Sequence, residues 1–100
     1  LTALCKGLSG QVASANVTLN NLLPERFDTD RQKFMAEMRS KIGGVSVEEA
    51  YAEMKKSIAA GRLGRPEEFG AACAFLCSAH AGFISGQNLQ LDGGSYEWLI

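Results

Sequence analysis

The sequence predicts an α/β fold: two parallel strands joined by helical crossovers, forming the edge of a sheet and not a whole one. Three observations predict it. Apolar residues recur at helical spacing in four segments. Two short segments rich in β-compatible residues are closed by turn signals, one by Pro24 and one by Asp92-Gly93-Gly94. The elements follow in the order helix, strand, three helices, strand, and strands separated by helical crossovers are usually parallel and right-handed.

The first helix is marked by Leu1, Leu4, Cys5, Leu8 and Val12, which fall on one stripe. No capping residue precedes it, so the chain is expected to begin inside an element and to be a fragment of something longer. Val17, Leu19, Leu22 and Leu23 then predict a strand over Asn16 to Leu22. Apolar residues on both parities near its end suit burial on both faces, as in a parallel sheet. "ERFDTD" is a loop in which Asp28 or Thr29 is the N-cap of the next helix.

That helix spans Asp30 to Ile42, with Phe34, Met35, Met38 and Ile42 as its apolar face and Lys33, Glu37 and Lys41 as a solvated ladder. Gly43-Gly44 stops it. Ser46 and Glu49 form a capping box for a third helix, whose buried side is Val47, Ala50, Tyr51, Met54 and Ile58. After the "GRLGRPEEF" loop, Pro66 opens a fourth helix reaching Ser78, and Glu67 and Glu68 complement its dipole. Its apolar surface is broad, with Phe69, Ala72, Cys73, Leu76 and Cys77 widened by Ala71, Ala74 and Phe75, and predicts burial against more than one neighbour. The final strand, Asn88 to Asp92, pairs with the Asn16–Leu22 segment. That segment's other edge has no partner within the chain, so further sequence or another copy is expected to cover it.

One hundred residues suit a single small domain. A net charge of −1 provides no basic field for nucleic acid or an anionic membrane. No apolar run approaches the roughly 20 residues that span a bilayer. Cys5, Cys73 and Cys77 form no metal-ligand spacing, and their odd number in apolar segments suits reduced thiols in the cytoplasm.

Few residues point to chemistry. His80 reads as a surface or helix-end histidine. Cys73 and Cys77 read as small buried core residues, a metal or redox pair being the other reading. Glu48-Glu49 and Glu67-Glu68 sit at helix starts, where capping and dipole effects account for them. Lys55-Lys56 is a solvated face, and Gly61-Arg62-Leu63-Gly64 follows a helix and is too short for a phosphate-cradling loop. "LLPERFDTDR" is more informative, because ligands of open α/β sheets bind at the carboxyl ends of strands. Asp28 and Thr29 stand at the amino end of a helix. Two readings stand: a simple cap, or a seat for an anionic group such as a pyrophosphate.

"NVTLNNLLPERFDTDR" followed by "AAGRLGRPEEFGAACAFLCSAHAGFISGQNLQLDGG" resembles the C-terminal part of a classical short-chain dehydrogenase/reductase, most closely the 3-oxoacyl-(acyl-carrier-protein) reductase-like branch. The resemblance rests on N-x-x-x-P with Thr five residues after the Pro, then G-R-x-G-x-P-E-E, then S-G-Q-x-L-x-x-D-G-G, and it covers Leu1 to Gly94. It implies the last part of a Rossmann-type doubly wound parallel sheet within one domain over residues 1–100. It also implies NAD or NADP as cofactor and interconversion of an alcohol and a carbonyl on a small-molecule substrate. Pro24 would begin the loop beside the nicotinamide, with Phe27 at the position whose backbone meets the carboxamide and Thr29 matching the threonine that contacts the carboxamide or phosphates. Glu25 stands where the family usually has Gly, which puts a carboxylate near a negatively charged cofactor. The helices over about 30–60 resemble the substrate lid, and the last helix and strand, over about 66–92, resemble the surface that packs subunits into dimers or tetramers. The family's glycine-rich loop and catalytic Ser, Tyr and Lys are expected upstream of Leu1. Lys6 has no Tyr four residues before it, so the chain alone is expected to be inactive. The alternative is a non-catalytic oligomerisation module derived from the same fold. Tyr96, Trp98, Leu99 and Ile100 would add apolar material for a partner, or form a flexible terminus.

Overall fold

A computed structural model describes residues 1–96 of the chain. Its elements run α1 (Thr2–Val12), β1 (Asn21–Pro24), α2 (Asp30–Gly43), α3 (Val47–Lys56), α4 (Pro66–Leu76) and β2 (Asn88–Leu91), with 3₁₀ turns at Ala13–Ala15 and Ala79–Ala81. Trp98, Leu99 and Ile100 lie outside the described residues. β1 and β2 are neighbours in a two-stranded sheet. The Asn21 amide donates to Gln87 O at 2.9 Å and the Glu25 amide to Leu91 O at 3.0 Å. Residue numbers rise together along the pair, so the strands are parallel as predicted.

β1 begins five residues later than predicted. Asn16 adopts a left-handed conformation (φ 63°) and its amide closes the 3₁₀ turn onto Ala13 O, a geometry that asparagine tolerates. At Leu19 and Asn20 side chains join the pairing, while the Gly86 amide still donates to Leu19 O at 2.8 Å. Ser85 Oγ accepts from the Leu19 amide at 3.1 Å. The Asn20 carboxamide donates to Ile84 O at 3.0 Å and accepts from the Gln87 amide at 3.1 Å. Asn20 thus supplies, from its side chain, the donor and acceptor that a further residue of strand backbone would have offered.

The chain divides into two compact units, one of Leu1–Leu23 with Glu67–Gln90 and one of Pro24–Pro66 with Leu91–Ile100. In the first, Ser9 and Ala81 are buried. Ser9 Oγ donates to Lys6 O at 2.6 Å, and α1 lies so close to Gly86 that a Cβ there would meet Ser9 Oγ at 2.7 Å. The α1 stripe stays largely open: Leu1, Leu4 and Leu8 are all exposed. α4 departs from expectation in the same direction. It ends at Leu76, two residues short of Ser78, and none of its residues is buried. Cys73 is half-buried and Cys77 exposed, so neither is a buried core residue.

In the second unit α2 and α3 pack on each other through small residues, Ala36 and Ala50, both fully buried. Gly44, left-handed at φ 67°, ends α2 as predicted. Ser40 Oγ donates to Val45 O at 2.6 Å, and Arg39 Nε reaches Glu53 Oε2 at 3.2 Å. Ser46 caps α3 by accepting the Glu49 amide at 3.1 Å. The predicted inner side of α3 holds, with Ile58 buried beside Ala50. The predicted apolar face of α2 is instead exposed at Phe34, Met35, Met38 and Ile42. Among the described residues no helix is long and apolar enough to cross a membrane.

Candidate functional site

Pro24 is the last residue of β1, and Glu25, Phe27 and Thr29 follow on the loop to α2, all in the second unit. Pro24 ends the strand without breaking the ladder. The amides facing β2 belong to Asn21 and Glu25, so by alternation the Pro24 nitrogen faces away. The loop is then braced by a parallel bridge between Phe27 and Gly64. The Asp28 amide donates to Gly64 O at 2.7 Å and the Gly64 amide to Arg26 O at 3.2 Å. These bonds use the backbone groups flanking Phe27, so Phe27's own amide and carbonyl face away from Gly64. Its ring lies across Gly64, where a Cβ would come within 2.8 Å of the ring edge.

This gives the "GRLG" stretch a structural role. Leu63 is buried and Gly64 carries the Phe27 ring and both bridge bonds. The glycine was visible in the sequence, but its partner was not, since the two lie far apart in the chain.

Arg26 was missed altogether. It adopts φ 58°, a left-handed conformation that costs a non-glycine residue about 1 kcal/mol. Its carbonyl accepts from Gly64, its Nη1 reaches Met54 O near the end of α3 at 3.5 Å, and its Nε lies 3.8 Å from Glu25 Oε1. The Glu25 carboxylate is mostly solvated, so that pair contributes little to stability. Only a glycine would have signalled the backbone geometry, and the sequence has none between Gly10 and Gly43.

Thr29 occupies the N-cap position of α2 with extended backbone, yet its side chain makes no cap hydrogen bond. Its carbonyl accepts the Lys33 amide at 3.1 Å. The start of α2 therefore retains backbone donors that the cap residue does not satisfy.

The "LDGG" end is a second ordered turn in this unit. Asp92 is buried, and its carboxylate accepts the Gly94 and Tyr96 amides, each at 3.0 Å. Gly93, at φ 62°, accepts the Ala60 amide on its carbonyl oxygen at 2.9 Å, and a Cβ there would meet Ile58 Cγ2 at 2.9 Å. The chain does contain one Tyr-x-x-x-Lys spacing, Tyr51 to Lys55, but on α3, with Lys55 exposed to solvent. His80 is exposed, and among the described residues no three His, Cys, Asp or Glu side chains cluster to hold a metal.

A family model described as enoyl-(acyl carrier protein) reductase matches residues 1–96. The chain is 38% identical over 92 residues to the NADPH-dependent reductase BacG of Bacillus subtilis, an alignment covering 92% of this chain and 36% of that protein. It is 35% identical over 91 residues to the 3-oxoacyl-(acyl-carrier-protein) reductase FabG of Vibrio cholerae, covering 91% of this chain and 33% of that one. It spans about a third of the length of the curated relatives it matches. A crystal structure of a short chain dehydrogenase family protein from Francisella tularensis is similar with a TM-score of 0.87 at 26% identity, over 94% of this chain and 39% of that one.

Proposed function

The chain belongs to the short-chain dehydrogenase/reductase family, and on that premise we propose that it serves as the C-terminal segment of an NAD(P)-dependent oxidoreductase that interconverts an alcohol and a carbonyl. The β1–α2 loop forms one wall of the nicotinamide site. The observation that carries this reading is that the bridge from Phe27 to Gly64 braces the loop while the Thr29 hydroxyl is not spent on capping α2. Such a loop suits an amide-bearing, anionic dinucleotide. Phe27 would meet the carboxamide through its backbone, and Thr29 with the first amides of α2 would hold the carboxamide or a phosphate. Pro24 sets where the loop leaves the sheet. The Glu25 carboxylate inclines toward Arg26 Nε, which offsets part of its charge beside the cofactor. When bound, the nicotinamide supplies the hydride.

α2 and α3, within residues 30–60, act as the lid over a small-molecule carbonyl or alcohol substrate. Three free thiols support a cytoplasmic setting. The test is titration of the chain with NADH and with NADPH, followed by intrinsic fluorescence. Measurable, weak binding is expected, and Thr29→Val should weaken it by about tenfold, the loss of one hydrogen bond to a charged group. Binding unaffected by Thr29→Val, or none to either dinucleotide, would overturn the assignment of this loop.

A second reading is favoured by one observation. Phe75 on α4 and Leu89 on β2 are exposed, on the helix and strand whose family counterparts pack subunits together. On this reading the chain is an association module, and binds its own copies without a dinucleotide. Light scattering separates the two: a chain that stays monomeric at micromolar concentration counts against the module.

A further inference from the structure

We propose that Cys73 and Cys77 form a bis-thiolate site for a soft, thiophilic metalloid, with trivalent arsenic as the type. The two residues stand one helical turn apart. The Cys77 amide donates to Cys73 O at 3.0 Å, so the helical geometry of α4 carries through to Cys77. Residues at this spacing share a face, with Cβ atoms about 5–6 Å apart. Both line one groove of about 620 Å³ in the first unit, together with Asn16, Thr18, Leu22 and Leu76. Both thiols are free, Cys73 half-buried and Cys77 exposed.

The spacing selects the chemistry. A disulfide needs Cβ atoms about 3.5–4.5 Å apart, so the intact turn holds the pair too far apart to oxidise to one. A single arsenic atom between the sulfurs lengthens the bridge by two bonds and spans the gap. Ser78 does not join the pair, because its hydroxyl donates to Phe75 O at 2.6 Å. Among the described residues no third acidic, imidazole or thiol ligand completes a cluster. Two ligands fall short of the four that structural zinc takes but suffice for an organoarsenical, and thiolates select soft partners. With phenylarsine oxide as the probe, two S–H bonds break and two As–S bonds form. The oxide oxygen leaves as water with both protons, and arsenic stays trivalent throughout.

The experiment is intact-mass spectrometry of the 100-residue chain with phenylarsine oxide in excess mercaptoethanol, with circular dichroism to verify folding of each variant. One equivalent is expected to remain bound against the monothiol and to leave with dimercaptopropanol. The two-point site should bind about a hundredfold or more tightly than either Cys73→Ser or Cys77→Ser, from the effective concentration of the second thiol. Cys5→Ser should bind like the parent, because Cys5 stands alone on α1. Cys77 is exposed, so its serine variant decides the matter if Cys73→Ser does not fold. Retention of the adduct by Cys77→Ser, its loss in Cys5→Ser, or no retained adduct on the folded parent would overturn the proposal.

Discussion

Replacing Gly64 with alanine tests whether the bridge positions the β1–α2 loop. The new Cβ would lie 2.8, 2.9 and 3.1 Å from three carbons of the Phe27 ring. Carbon atoms rest at about 3.5–4.0 Å, so the ring must retreat by roughly 0.5–1 Å. Phe27 is only half-buried, which lets the ring swing. Its flanking groups, Arg26 O and the Asp28 amide, are nevertheless bonded to Gly64 itself. Overpacking of this kind costs about 1–3 kcal/mol, and the stiffer unfolded chain returns about 0.4–1 kcal/mol. The midpoints of these ranges leave a net loss of about 1.3 kcal/mol, which lowers the melting temperature by about 5–10 °C in a chain of this size. Thermal denaturation followed by circular dichroism measures it. Gly70→Ala is the control: it lies within α4 with no atom inside 4 Å of the new Cβ, and should raise stability by about 0.5–1 kcal/mol. In a Phe27→Leu background the Gly64→Ala penalty should largely vanish. An undiminished penalty in that background, or a Gly64→Ala chain melting at or above the parent, would refute the bridge as described.

Asp92→Ala removes the acceptor of two backbone amides at a buried position and should cost about 2–3 kcal/mol by urea unfolding. Ser46→Ala deletes the α3 cap and should cost about 1 kcal/mol, read as faster hydrogen exchange over Val47–Ala50. Gly93→Ala meets both a left-handed backbone and the Ile58 side chain, and should destabilise by more than about 1 kcal/mol in the same urea assay. The 100-residue chain should not oxidise NADH or NADPH in the presence of carbonyl substrates. Its Tyr51–Lys55 pair lies on α3, with Lys55 in solvent, and measured turnover abolished by Tyr51→Phe would show otherwise.

What could be read from sequence divides by range. The helices were legible because their signals are local: the 3.6-residue repeat, Ser46 with Glu49, Gly44 and Pro66. Direct interaction partners do not extend far along the chain in those cases. β1 begins late because Asn16 closes a local turn onto Ala13 while Asn20 spends its side chain on a loop that is distant in sequence. The outward faces of α2 and α4 show the other shortfall: periodicity reveals which residues are apolar, not whether anything lies opposite them. Local signals place Pro24 at the end of β1 and Thr29 at the start of α2. The brace from Gly64 and the strained backbone at Arg26 come from contacts across dozens of residues, and the sequence carries no mark of them. Cys73 lies on α4 as read and Cys77 one residue past its end, but their exposure was not foreseen, for the same reason as that of the helix.

The clamp made by Asn20 and its neighbours ties together residues 64 to 67 positions apart. Helical turns form in under a microsecond, whereas segments this distant must first find one another by diffusion of the chain. Folding speed is therefore governed by the meeting of the two strand segments and not by the helices between them. A nascent or freshly refolded molecule should spend most of its unassembled life with helices formed and both strand edges bare, the interval in which it is most exposed to aggregation.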